Sequence, residues 1–209
     1  EDVSFTINKG QTFSLVGESG CGKTTVGRSI LRLENPISGK VLMNGNDILL
    51  HSKSQMLESR LEMQMVFQDP YGSLNPVMQL FDQVAEPLIN YQVASGRDLT
   101  EKVEKLFDRV RLPISFLTRY PHEFSGGQRQ RVAIARSLAK SPKLLLGDEL
   151  TGNLDSKTSE MVMEVLVKAC EAEDITTIMV THDEKLSQYA TRVIRLDSGK
   201  IVSDEKVNQ

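Results

Sequence analysis

The sequence predicts an α/β fold: a mostly parallel sheet covered by helices, with an antiparallel β edge and an inserted helical stretch. Two features predict the sheet. Short apolar runs alternate with longer segments of helical periodicity, and turn residues bound those runs. A third feature predicts the insertion: from residue 77 to about 140, helix follows helix with no good strand between. The 209 residues therefore divide into a core over 1–76 and 141–209 and a helical subdomain over 77–140. A chain of this length buries roughly 70% of the surface its unfolded form exposes, so no disulfide or metal staple is required. Basic and acidic residues number 25 and 28, which excludes the strongly basic balance of a nucleic-acid grip. No apolar run reaches membrane-spanning length. The opening Glu1-Asp2 predicts no leader peptide, and two cysteines, Cys21 and Cys170, point to a reducing, cytosolic setting.

The elements follow in order. Residues 3–7 alternate at period two and predict a strand; residues 12–16 predict a second, ending at a glycine-rich turn. Residues 23–33 predict a helix, stopped by Asn35-Pro36 and the turn through Gly39. Residues 40–43 with Asn44-Gly45 predict a hairpin edge. Residues 63–67 predict a further strand, followed by a proline-punctuated loop over 69–76. Beyond the helical insertion, residues 143–147 return to strand. Residues 155–171 are amphipathic, with Val162, Val165, Leu166 and Ala169 at helical spacing. Residues 175–180 predict a β-branched strand, and 192–196 with 200–202 flank a turn at Asp197-Ser198-Gly199.

Three motifs carry chemistry. Gly17-Glu18-Ser19-Gly20-Cys21-Gly22-Lys23-Thr24 fits G-x-x-x-x-G-K-[ST], with a strand entering and a helix leaving. Glycines there let backbone N–H groups converge on phosphate oxygens at a helix N-terminus, where the dipole also favours an anion. Lys23 would reach the β- and γ-phosphates, and the Thr24 hydroxyl would bind Mg²⁺. The apolar run Leu144-Leu145-Leu146-Gly147 ends in Asp148-Glu149. In a P-loop nucleoside triphosphatase Asp148 would hold Mg²⁺ and Glu149 would polarise the attacking water. Ser125-Gly126-Gly127-Gln128 precedes a helical run over 129–140. A capping box explains its ends, but two glycines in a first turn cost about 1 kcal/mol each relative to alanine. Close approach of a phosphate to bare backbone would supply the compensating gain. Gln68 and His182 each follow an apolar strand. Four strand ends thus carry Gly17, Gln68, Asp148 and His182, and ligands of open parallel sheets sit beyond such ends.

On these motifs the whole chain resembles the nucleotide-binding domain of an ABC transporter. The match includes Walker A at residues 17–24, a Q-loop at Gln68, a signature at Ser125–Gln128 and Walker B at residues 144–149. It continues through a D-loop at Asn153-Leu154-Asp155 to a switch histidine, His182. The resemblance implies a RecA-like P-loop core that binds ATP and Mg²⁺. Gly17, Ser19, Gly20, Cys21, Gly22, Lys23, Thr24 and Thr25 would hold the nucleotide. Ser125, Gly126, Gly127 and Gln128 would cap the ATP of a partner subunit in a head-to-tail dimer. Thr24, Gln68 and Asp148 would hold the metal, and Glu149, His182 and Gln68 would serve hydrolysis. Transmembrane permease subunits are the other implied partners, with no nucleic acid, and the location is the cytoplasmic face of the cell membrane.

The subfamily signals split. The stretch from Phe67 to Pro76 and His122-Glu123-Phe124 resemble oligopeptide and dipeptide importer ATPases. From Thr151-Gly152-Asn153 onward the chain resembles lipoprotein-release and macrolide-export ATPases, which suggests a recombined or designed chain joined near residues 144–150. Leu150 stands where the family normally has proline, so the loop carrying Glu149 is expected to be less rigid. The family's adenine-stacking aromatic lies upstream of Glu1, leaving Phe5 as the nearest candidate. Two competing functions stay open at this point: a soluble ATPase of the same fold acting on nucleic acid or ribosomes, and a nucleotide-binding module with little turnover.

Overall fold

In the computed structural model, residues 3–207 are described; Glu1-Asp2 lies outside them. Strand β1 (Thr12–Val16) leads into helix α1 (Lys23–Ile30), and β2 (Leu42–Met43) and β3 (Asn46–Asp47) form a two-stranded hairpin. Helix α2 (Lys53–Glu62) runs into β4 (Met63–Val66). Four helices come next: α3 (Pro70–Ser73), α4 (Leu80–Asn90), α5 (Gly96–Arg109) and α6 (Gly126–Leu138). The chain then returns through β5 (Leu144–Asp148), α7 (Ser156–Glu171), β6 (Thr176–Thr181), β7 (Arg192–Asp197) and β8 (Lys200–Lys206).

The main sheet has the order β4-β5-β6-β1-β7-β8. Every neighbouring pair from β4 to β7 is parallel, and only β8 runs antiparallel, beside β7. Strands buried on both faces read as continuous apolar runs, and β1 and β6 are buried at every position. Their alternating side chains feed two cores. Phe13, Leu15, Leu146, Ile178 and Val180 pack on one face with Leu31 of the α1 side and Met56 of α2. Val16, Leu145 and Met179 belong to the larger core, which continues through α4, α5, α6 and α7.

The structure departs from the sequence expectation in four places. Residues 3–7 form no strand, although Val3, Phe5 and Ile7 do alternate with exposed neighbours and pack on the smaller core. Their periodicity reports one-sided burial, while the β1 ladder is already filled on both sides by β6 and β7. Phe5 stacks on Phe13, with ring centroids 5.2 Å apart and planes 15° from parallel. Helix α1 ends at Ile30, three residues early, because Arg32 takes φ +50 and turns the chain. Helix α2 was not foreseen, yet its signal is present: Ser52 accepts from Gln55 N–H and Gln55 Oε1 accepts from Ser52 N–H, a capping box. Finally, the proline-punctuated loop contains the short turn of helix α3. The hairpin holds as expected, with Asn44 and Gly45 both at positive φ (51° and 82°), as a two-residue primed turn requires.

Among the described residues no helix is long and apolar enough to cross a membrane. Cys170 on α7 is fully buried, and burial pushes its thiol up to about 11. The thiolate is the reactive form, and a free thiol sits near 8.5. Cys170 should therefore resist a thiolate-dependent reagent at pH 8 and react once the chain is unfolded in urea, as mass spectrometry of labelled peptides would show.

Candidate functional site

The parallel register sets the site. Val16 is level with Thr181, Asp148 with Val180, and Val66 with Gly147, so four strands end at one edge of the sheet. Gly17, Gln68 and His182 follow three of those ends, and Asp148 is the last residue of the fourth strand, β5. Between β1 and α1 the loop turns tightly, with Gly20 at φ +83 and the helix-capping Gly22 at φ +102. A Cβ at either position would meet nothing, so the glycine requirement is one of backbone conformation, not of space. The loop exposes Ser19 and Gly20 and buries Cys21, and Thr25 in the first turn of α1 is exposed.

Lys23, the first residue of α1, is only 3% exposed. Its ammonium donates to Gly17 O at 2.8 Å and Glu18 O at 2.7 Å, with Cys21 Sγ 3.8 Å away. Buried charge demands such partners. The lysine is thus held inside the curl of the loop, its head level with the loop's own carbonyls.

Thr24 Oγ1 donates to Asp148 Oδ1 at 3.1 Å, joining the loop after β1 to the end of β5 across the intervening β6. Burial raises the Asp148 carboxyl above its ordinary range, and the Thr24 hydrogen bond opposes that rise only in part. A buried carboxylate beside a hydroxyl oxygen is a donor set that suits a hard divalent cation, whose charge would offset the desolvation.

Glu149 is bent out of line. It has φ +47, a left-handed conformation that costs a non-glycine residue on the order of 1–3 kcal/mol and collects at functional sites. Its N–H donates to Val180 O at 2.8 Å, and its carbonyl accepts from Gly152 N–H at 3.1 Å. The carboxylate Oε1 lies 3.3 Å from His182 Nδ1, so the two polar groups read at separate strand ends do meet. Gln68 is exposed and lies against Gly152; a Cβ there would come within 2.9 Å of its Nε2.

Ser125 and Gln128 form the capping box at the start of α6, with Gln128 Oε1 accepting from Ser125 N–H at 2.9 Å. The two glycines between them have an intrachain cause. A Cβ on Gly127 would lie 2.2 Å from Thr158 Cγ2, and one on Gly126 would lie 3.0 Å from Leu154 Cδ2. Helices α6 and α7 approach too closely at Gly127 for a side chain. Asp155, which caps α7, accepts from Thr158 N–H at 3.1 Å and from Thr158 Oγ1 at 2.6 Å, and these bonds hold its carboxyl below the usual range.

Sequence reasoning missed the polar groups that tie residues 67–78 in place. Gln130 of α6, fully buried, donates to Phe67 O at 3.1 Å, directly before Gln68. Arg136 donates to Ser73 O at 2.8 Å, and Gln83 of α4 donates to Asn75 O and Met78 O. The available signal was position: Gln130 shares a helical face with Ile134 and Leu138, both buried.

A glycine loop between a strand and a helix, facing a strand-end Asp-Glu pair across a parallel sheet, defines a P-loop nucleotide-binding fold. Comparison with known proteins narrows this. The model of the ABC transporter family matches residues 1–152, and the chain belongs to that family. It is similar to the oligopeptide transport ATP-binding protein AppF of Bacillus subtilis, 44% identical over 184 residues, which cover 88% of this chain and 56% of that one. OppF of the same organism is 42% identical over 205 residues, covering 97% of this chain and 67% of that one, on both sides of residues 144–150. The chain thus spans little more than half of the first relative's length and about two thirds of the second's. A solved ATP-binding cassette, a dimer in a post-hydrolysis state with ADP and Pi, is 31% identical over all of this chain and 90% of that one, with a TM-score of 0.86.

The α6–α7 contact yields a prediction independent of any ligand. Gly127→Ala should destabilise the fold by about 1–3 kcal/mol through overpacking against Thr158. Adding Thr158→Ser, which removes the opposing methyl and keeps the hydroxyl bonded to Asp155, should recover most of that loss in urea denaturation.

Proposed function

We propose that this chain is the ATP-binding and ATP-hydrolysing subunit of an ABC transporter, and that it powers transport through separate membrane subunits. The observation that carries this reading is the meeting, at one sheet edge, of the Lys23 loop, the Thr24–Asp148 pair and the Glu149–His182 pair. Loop N–H groups at the start of α1 would bind the phosphates, aided by the helix dipole. Lys23 would exchange its two carbonyl partners for β- and γ-phosphate oxygens, a short movement because its head already lies in the loop. Thr24 and Asp148, with Gln68, would hold Mg²⁺, which when bound neutralises charge developing on the phosphoryl oxygens. Glu149 would accept a proton from the attacking water, and His182, at hydrogen-bonding distance from it, would orient that carboxylate.

Ser125 to Gln128 open α6 on the helical segment we assign to an inserted subdomain, residues 77–140. In the dimer we propose, they face the nucleotide of the second subunit; that the similar solved cassette is a dimer supports the pairing of two such subunits. The similarity to oligopeptide transport ATP-binding proteins favours peptide-type import, with transmembrane permease subunits as partners and a peripheral place on the cytoplasmic side of the membrane.

Glu149→Gln should lower kcat by about 10²–10⁴-fold while ATP binding persists, since the residue serves the water and not the phosphates. Size exclusion should show an ATP-trapped dimer of the variant, and wild-type turnover would refute the role assigned to Glu149. Turnover should also climb more than linearly with protein concentration, because each site needs a second subunit. Constant specific activity across a wide dilution series would instead identify a self-sufficient monomer.

A further inference from the structure

Gly147 and Leu150 bracket the Asp148-Glu149 pair. Gly147 lies buried in β5, and a Cβ built on it would sit 2.5 Å from Leu150 Cδ1 and 2.8 Å from Leu150 Cγ. The leucine therefore fills volume that any other residue at position 147 would occupy. Leu150 is only 5% exposed and belongs to the larger core. Between the two, Glu149 keeps its left-handed backbone. Two hydrogen bonds hold that residue itself, from its N–H to Val180 O and from Gly152 N–H to its carbonyl. The second closes a turn over Leu150 and Thr151, and the buried Leu150 side chain anchors that turn to the core.

We propose that Leu150 is a positioning residue for Glu149, seated in a notch that only a glycine at 147 leaves open. Its burial anchors the turn on the far side of the carboxylate and holds the strained conformation that aims Glu149 toward His182. On this reading the leucine steadies the loop, the opposite of the expectation drawn from its standing in place of proline. The inference rests on reading Glu149 as the group that accepts the water's proton.

The test uses the whole chain with Mg-ATP, measuring kcat, KM, ATP affinity by calorimetry and melting temperature. Leu150→Ala should lower kcat about ten- to a hundredfold, the scale on which small misplacements of a catalytic group act, with KM and ATP affinity within about twofold of wild type. Leu150→Met, of similar volume, should remain within about threefold. Gly147→Ala should reproduce the loss by evicting the leucine. The double variant Gly147→Ala/Leu150→Ala should be no worse than the poorer single variant, since both break one contact. Wild-type kcat in Leu150→Ala overturns the proposal, as does a fall in kcat matched by an equal loss of ATP affinity. If Leu150→Ala does not fold, Gly147→Ala decides, and wild-type kcat there overturns the proposal equally. Glu149→Gln runs alongside. If it is inactive while Leu150→Ala is fully active, only the positioning role falls; if it turns over normally, the reading of Glu149 itself falls.

Discussion

The in-register parallel pairing of β5, β6 and β1 is the constraint on which the rest of the site depends. Thr24 and Asp148 are 124 positions apart in sequence and two strands apart in the sheet, yet they meet at 3.1 Å. They do so because Val16 is level with Thr181 and Asp148 with Val180, so the loop after β1 and the end of β5 emerge at nearly the same height. The same stagger lets the Glu149 N–H continue the ladder onto Val180 O. A one-residue slip of β5 would exchange Leu145 and Leu146 between the two cores. The two buried faces therefore hold the polar edge in place.

A second layer of organisation reaches the site from the helices. Three side chains, Gln130, Arg136 and Gln83, cap the carbonyls of Phe67, Ser73, Asn75 and Met78. A segment with little regular structure of its own is thereby fixed from α6 and α4. Each such bond adds roughly 0.5–1.5 kcal/mol, while leaving a buried group unpaired costs about 1–3 kcal/mol. The asymmetry favours moving the segment and the helices together. Since Ser125 caps the start of α6, the strand end bearing Gln68 and the start of that helix share one support.

Small residues at this site serve close packing within the chain. Gly127 admits Thr158 of α7, and Gly147 admits Leu150 of its own turn. Both contacts are side-chain packing against bare backbone, where a single added carbon has no room. From sequence alone, the glycines between Ser125 and Gln128 point outward, to a phosphate. The structure adds an inward reason that does not depend on one.

Much of this protein was legible in the sequence because its signals are local. Gly17 to Thr24 between a strand and a helix, the apolar run ending in Asp148-Glu149, and the Asn44-Gly45 turn each combine residue type with short-range periodicity, and backbone geometry follows from that. Four apolar runs ending in Gly17, Gln68, Asp148 and His182 were enough to predict a shared edge, since parallel strands with helical crossovers point the same way. Tertiary structure decided the rest. Residues 3–7 carry a strand's alternation, but pairing depends on which strand edges are open, and those of β1 are filled. The seat of Leu150 over Gly147, the contact of Gly127 with Thr158 and the hold of Gln130 on Phe67 depend on how closely distant segments approach. That distance is set by the packing of the whole chain, so no window of sequence contains it.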